Sequence, residues 1–219
     1  MLKYPCLILD HDDTVVQSEA TINYPCFCIS LERFRPGETI TLSEYARGCY
    51  HPGFVEMCRQ RYHFTSEELN QEYLDWKAYA RAHIPSPYPG MDRIIHRHLE
   101  AGGMLFVVSH SSRDNITRDY RAHFGVLPHG IYGCDLPEEQ CKPNPYPLEH
   151  IMQTYGFTSE QMLVVDDLKA AWEMCQAANV PIAFAAWSKA DLPEIKAEMT
   201  VLCDYAFETV AQLEAFLFN

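Results

Sequence analysis

The chain has 219 residues, 47% of them apolar, and a formal net charge of −13. That is enough apolar material for one core and a smaller subdomain, while the acidic excess argues against a nucleic-acid partner. No apolar run approaches the roughly 20 residues of a membrane span, and no leader-like segment opens the chain, so the expected location is cytoplasmic. Nine cysteines, an odd set without a C-x-x-C pair, speak against both a disulfide framework and a zinc ribbon.

In chain order, Cys6 to Leu9 reads as a buried strand that delivers Asp10-His11-Asp12-Asp13-Thr14 into a polar turn. Side chains alternate along an extended chain, which puts Asp10 and Asp12 on one side. A pair of carboxylates can divide its work when a cation keeps one ionised and the other keeps a proton. Taken alone, the stretch is better explained as an acidic strand end before a turn. From Gln17 to about Ser86 the strand signal fades. Phe54–Tyr62 and Ser66–Ala82 read as amphipathic helices, the second with Ser66 as N-cap and Leu69, Tyr73, Trp76 and Tyr79 as its apolar stripe. Arg33, Arg47, His51, Arg59 and Arg61 read as surface charges sooner than as ligand contacts, and Pro85, Pro87 and Pro89 as a stiff return.

Beyond that return, helices over 89–101, 113–124 and 145–155 stop at Gly102, Gly125 and Gly156. The strand Met104–Val108 runs into Ser109-His110-Ser111-Ser112, and Cys141-Lys142-Pro143 sets one cation in a proline-stiffened loop. The strand Met162–Val165 ends at Asp166-Asp167. A helix over 169–178, a strand over 182–186 and a closing helix over 210–217 follow. Alternating strands and helices predict an α/β fold, a parallel sheet with helices on both faces, whose ligands bind at the strand carboxyl ends. Each polar stretch also has a plain structural explanation: Ser109 as a cap, Lys142 as a solvated charge, and Asp166-Asp167 as partners of a helix dipole.

In combination, D-x-D-x-T at 10–14, the strand-terminal Ser109, Lys142 and the late pair Asp166-Asp167 resemble the four motifs of the haloacid dehalogenase-like hydrolase superfamily. The likeness runs through nearly the whole chain, including Tyr88-Pro89-Gly90-Met91 and Asp204-Tyr205-Ala206-Phe207. It implies a Rossmann-like core of residues 1–16 and 87–219, with a small helical cap domain, residues 17–86, that closes over the site and selects substrate. It also implies Asp10 as the nucleophile that forms an aspartyl-phosphate, and Asp12 as the acid toward the leaving alcohol and later the base toward water. Ser109 and His110 would meet the phosphoryl group or substrate, and Lys142 would neutralise the phosphoryl charge. Mg2+ would be held by Asp10, the Asp12 backbone carbonyl, and Asp166 with Asp167.

The expected substrate is a small phosphorylated metabolite, with no nucleic acid and no membrane involved, and the protein a monomer or homodimer. An alkoxide leaving group needs an acid and a halide does not, so Asp12 argues for phosphate-ester chemistry over dehalogenation. A phosphomutase of the same fold is the nearer alternative. A receiver-like phospho-acceptor module is the other, and motif order speaks against it. The chain departs from the family pattern at Asp13, where many relatives have Gly, at Val15 for Leu, and at Ala170, where some place another acid.

Overall fold

Short strands form the sheet, the central ones too apolar to face water on either side. In the computed structural model, which describes residues 2–219, these are β1 (Cys6–Leu9), β2 (Met104–Val108), β3 (Gly130–Tyr132), β4 (Met162–Asp166), β5 (Ile182–Ala185) and β6 (Tyr205–Phe207). The helices are α1 (Tyr24–Phe34), α2 (Leu42–Tyr50), α3 (Phe54–Tyr62), α4 (Ser66–Ala82), α5 (Met91–Glu100), α6 (Arg113–Phe124), α7 (Tyr146–Tyr155), α8 (Lys169–Ala178), α9 (Pro193–Leu202) and α10 (Val210–Phe218). The strands pair in the order β3-β2-β1-β4-β5-β6, always parallel. None of the helices among the described residues is long and apolar enough to cross a membrane.

Every residue of β1 is buried, as a strand covered on both faces must be. Leu7, Leu9, Leu105, Val107, Leu163 and Val165 share one cluster with Met91, Ile94 and Ile95 of α5, Ile116 and Tyr120 of α6, and Leu213 of α10. The alternate side chains, Cys6, Ile8, Phe106 and Val164, are equally buried. The second helix layer, with α7 against α8 and α8 against β4 and β5, covers that other face. This is the α/β arrangement expected from the alternating pattern. The chain builds outward from β1 to β2 and β3, then returns to build β4, β5 and β6 on the other side. The strand order therefore reverses between β1 and β4, which is where doubly wound sheets open a crevice at their carboxyl ends.

Two compact units result, one holding the chain up to Val16 and again from Ser86, the other Gln17–Pro85. The smaller unit is helical, with Phe27, Leu31, Tyr45, Met57, Cys58, Tyr62 and Phe64 in its core. A Cβ at Gly48 would strike the Met57 side chain, so a residue without one lets α2 and α3 close. Arg35 ties the unit together, donating to the Tyr62 carbonyl at 2.7 Å and in a fork to both oxygens of Glu68 at 2.8 and 2.9 Å. Arg33, Arg59 and Arg61 make exposed ion pairs with Asp75, Glu56 and Glu44, the surface role expected of them.

Two expectations for α4 need correction. Its N-cap is Thr65, not Ser66: the Thr65 hydroxyl accepts from the Glu68 N–H while the Glu68 carboxylate reaches back to the Thr65 N–H. A capping box needs its partners three positions apart, and only Thr65 stands at that distance before Glu68. The buried face is also shifted off the expected stripe. Tyr73 is 43% exposed, whereas Glu72 is 5% exposed and Ala80 is buried.

Glu72 is a carboxyl group inside an apolar unit, and its charge is felt at Cys26, Tyr45 and Cys58. Burial, reinforced by Asp75, pushes it up to about 7. An acid that holds its proton more tightly when folded contributes fully below its unfolded pKa of about 4.5, and the folded state loses that contribution as pH rises to about 7. Glu72→Gln should therefore add stability that grows from about 1 kcal/mol at pH 5 to about 3 kcal/mol at pH 8. Urea unfolding at both pH values measures this, and an equal gain at the two would contradict it.

Candidate active site

The site is built where β1, β2 and β4 end. Leu9 is in register with Val107 on one side and Val165 on the other, and the Asp10 N–H donates to the Val165 carbonyl at 2.9 Å. Asp10 and Asp166 thus stand level on neighbouring strands, where parallel pairing turns both side chains to the same face. After Leu9 the chain folds back on itself. The Val15 and Val16 N–H groups donate to the His11 carbonyl at 3.0 and 3.1 Å, and the Asp13 N–H to the Val16 carbonyl at 2.7 Å. Asp13 takes a left-handed backbone with φ of 56°, which Asp tolerates better than most residues. That accounts for an acid at a turn position of the kind that glycine fills most easily. The ladder ends at Leu9, so Asp12 lies in this turn, bridged to Val16.

Lys142 reaches the same point from the loop before α7. Its Nζ donates to Asp10 Oδ1 at 2.9 Å and to Asp166 Oδ2 at 2.7 Å, with the side chain 1% exposed. Burial works against an ammonium there, but the two carboxylates outweigh it and hold the lysine above its ordinary range. Asp166 Oδ1 accepts from the Leu168 N–H at 2.9 Å, which fixes the carboxylate at both oxygens. Asp167, alongside, is buried as well.

Asp10, Asp166 and Asp167 each bring a carboxylate oxygen to within 4.8 Å of the others. Burial, together with Asp10 and Asp167 and against the pull of Lys142, pushes the Asp166 carboxyl up to about 8. The cluster sets three carboxylates against the Lys142 ammonium, and its donors are all hard oxygens. That combination fits a divalent cation of the oxygen-seeking kind.

Ser109 follows β2 with its N–H on the Tyr132 carbonyl at 2.9 Å, and its Oγ accepts from the Ser111 N–H at 3.2 Å. The N-cap of α6 is Ser112, not Ser109, so the Ser109 hydroxyl is not spent on capping that helix. His110 is exposed and donates through Nε2 to the Lys142 carbonyl at 3.1 Å. Of the residues expected at the site, the structure joins Asp10, Lys142 and Asp166 directly, gathers Asp167 with them, and links His110 to the Lys142 loop.

Two features were not anticipated. His11 points to the opposite face from Asp10 and donates from Nε2 to Asp119 Oδ2 of α6 at 3.0 Å, both side chains being almost wholly buried. His11 and Arg118 outweigh burial to hold the Asp119 carboxyl below its ordinary range. Lys189, in the 3₁₀ turn after β5, pairs with Asp167 Oδ2 at 2.6 Å. No local pattern marks either residue: His11 and Asp119 lie 108 positions apart, and a lysine shortly after a strand is ordinarily solvated.

A family model, haloacid dehalogenase-like hydrolase, matches residues 7–185. The chain belongs to the haloacid dehalogenase-like hydrolases. No curated protein sequence matches it. Among solved structures, this hydrolase is similar to a Bacteroides fragilis protein assigned to the same family, with TM-score 0.79 and 20% identity over 96% of this chain and 100% of the other. A Haemophilus somnus protein assigned as a phosphoglycolate phosphatase gives TM-score 0.74 at 18% identity, with 99% of each chain covered. CbbY from Rhodobacter sphaeroides, in an Asp-to-Asn variant bound to xylulose-1,5-bisphosphate, gives 0.71 at 16% identity, again over 99% of each chain. At these identities the likeness is one of fold.

Proposed function

We propose that this hydrolase cleaves the phosphate monoester of a small metabolite through an aspartyl-phosphate on Asp10, with Mg2+ as cofactor. The observation that carries the reading is the buried ammonium of Lys142 shared between Asp10 and Asp166 at the sheet's switch point. Phosphoryl transfer spreads charge over three equatorial oxygens, so it calls for positioned cations and N–H groups more than for elaborate covalent chemistry.

In the first step an Asp10 oxygen attacks phosphorus, the ester P–O bond breaks, and Asp12 gives its proton to the departing alkoxide. Asp12, now ionised, takes a proton from the water that attacks the acyl phosphate, and the bond between phosphorus and Asp10 breaks to free inorganic phosphate. Lys142 neutralises the transferred group and holds the orientation of Asp10. Ser109, with the N–H groups at the start of α6, receives a phosphoryl oxygen. Asp10, the Asp12 carbonyl, Asp166 and Asp167 are the residues that would hold Mg2+, which supplies further charge stabilisation when bound. The small phosphorylated compounds named for the Haemophilus and Rhodobacter proteins support that size class of substrate.

The test is phosphate release from a panel of phosphorylated sugars, polyols, nucleotides, small acids and an aryl phosphate, with Mg2+ or with EDTA. Release with Mg2+, its loss in EDTA, and a hydroxylamine-sensitive phosphoenzyme are expected. Release that EDTA leaves unchanged, or none from any compound, would refute the reading.

A further inference from the structure

Lysine is among the residues least often taken fully out of water, yet Lys189 is 2% exposed and has no part in the steps above. Its ammonium lies 2.6 Å from Asp167 Oδ2 and 3.8 Å from Asp13 Oδ2. The turn that carries it is tied down separately, because Trp187 Nε1 donates to the Thr14 carbonyl at 3.2 Å. The two buried lysines therefore divide the acids: Lys142 serves Asp10 and Asp166, and Lys189 serves Asp167 and Asp13. The carboxylates gathered here outnumber the two ammonium groups, so each lysine offsets part of a negative balance that a divalent cation would also offset. A site with one lysine fewer would be over-charged when empty and would draw a cation too strongly, freeing Asp167 to turn both oxygens toward it.

We propose that Lys189 is a positioning residue of this site: it holds Asp167 by one oxygen and offsets negative charge of the acidic cluster, which keeps the cation-free site intact and limits how strongly it draws a divalent cation. The inference rests on the metal-dependent reading above. A lysine with a purely structural role would cost the same stability with and without a cation. A charge-setting lysine would not, since its removal hurts the cation-free protein most.

The test compares wild type, Lys189→Met, Lys189→Gln and Lys189→Arg by thermal unfolding in EDTA and in MgCl2 at matched ionic strength, with Mn2+ affinity taken from titration. Lys189→Met should melt well below wild type in EDTA, gain more than wild type from MgCl2, and bind Mn2+ at least about tenfold more tightly, as befits the loss of one buried charge a few Å from the ion. Lys189→Arg keeps the charge, so whatever its larger head group costs in melting temperature should be the same in EDTA and in MgCl2, with Mn2+ affinity close to wild type. Lys189→Gln keeps a donor without the charge and carries the same expectation as Lys189→Met should the latter fail to fold. A Mg2+-induced gain no larger in these neutral variants than in wild type would overturn the role of Lys189. No gain in wild type would instead overturn the metal-dependent reading, and the inference with it.

Discussion

Asp10→Asn should abolish turnover and, in EDTA, leave the protein more stable than wild type. The amide is uncharged and a poor nucleophile, so release should fall by at least about 10⁴-fold, as expected when covalent catalysis loses its attacking atom. Stability moves the other way because of the company Asp10 keeps. It stands within 4.8 Å of Asp166 and Asp167, where three carboxylates crowd a buried volume. An Asn of the same shape can still accept from Lys142, now at 2.9 Å from Asp10, and Asp166 keeps that ammonium paired at 2.7 Å. Removing one negative charge from an over-acidic cluster should add about 1 kcal/mol, the trade between activity and stability common where a site stores like charges. The gain conferred by Mg2+ should shrink in the same variant. Single-turnover phosphate release and urea unfolding in EDTA decide both halves. A variant that kept a tenth of its activity, or that lost stability, would contradict the account.

Much of this arrangement is legible in the chain. Strands such as Met104–Val108 and Met162–Asp166 are near-continuous apolar runs because both faces of a parallel sheet are covered, and each run stops at the residue that enters the site. The helices Arg113–Phe124 and Lys169–Ala178 follow from their periodicity and the residues that stop them. β3 and β6 leave no such mark, because each has only three residues and none of them is buried, so no apolar run announces them. α9 begins with Pro193 at its first position, a helix-start signal that the sequence does carry.

The site divides along similar lines. Asp10, Ser109 and Asp166 stand out because each ends a strand, whereas Lys142 comes from an irregular loop and is recognisable only by its order among the motifs. Lys189 and Asp119 could not be found this way. Burial of a charged side chain depends on what the fold brings opposite it, and that information is spread over residues far apart in the chain. Glu72 teaches the same lesson in the helical unit: its neighbours Leu69 and Tyr73 carry the apolar signal, while packing turns Glu72 inward.

Lys142→Met should lose both stability and activity, in contrast to Asp10→Asn. Met nearly matches the length of lysine but leaves Asp10 Oδ1 and Asp166 Oδ2 without the ammonium that now bridges them at 2.9 and 2.7 Å. Removing one partner from a buried ion pair strands the other, at a cost of about 3–5 kcal/mol, so the variant should unfold much more readily in EDTA. Mg2+ should restore part of that stability by neutralising the same oxygens, but not turnover, since the transferred phosphoryl group would still lack its lysine. Arginine should not substitute, because a planar guanidinium cannot occupy a point-charge site enclosed to 1% exposure. The double variant of Asp10→Asn and Lys142→Met separates charge from shape. If the lysine is needed mainly to balance Asp10 and Asp166, deleting one of those charges should make its loss cheaper, and Asp10→Asn should stabilise the Lys142→Met protein in EDTA by more than it stabilises wild type. Strictly additive effects would mean that Lys142 stabilises the fold by packing, and the electrostatic account of the site would fail.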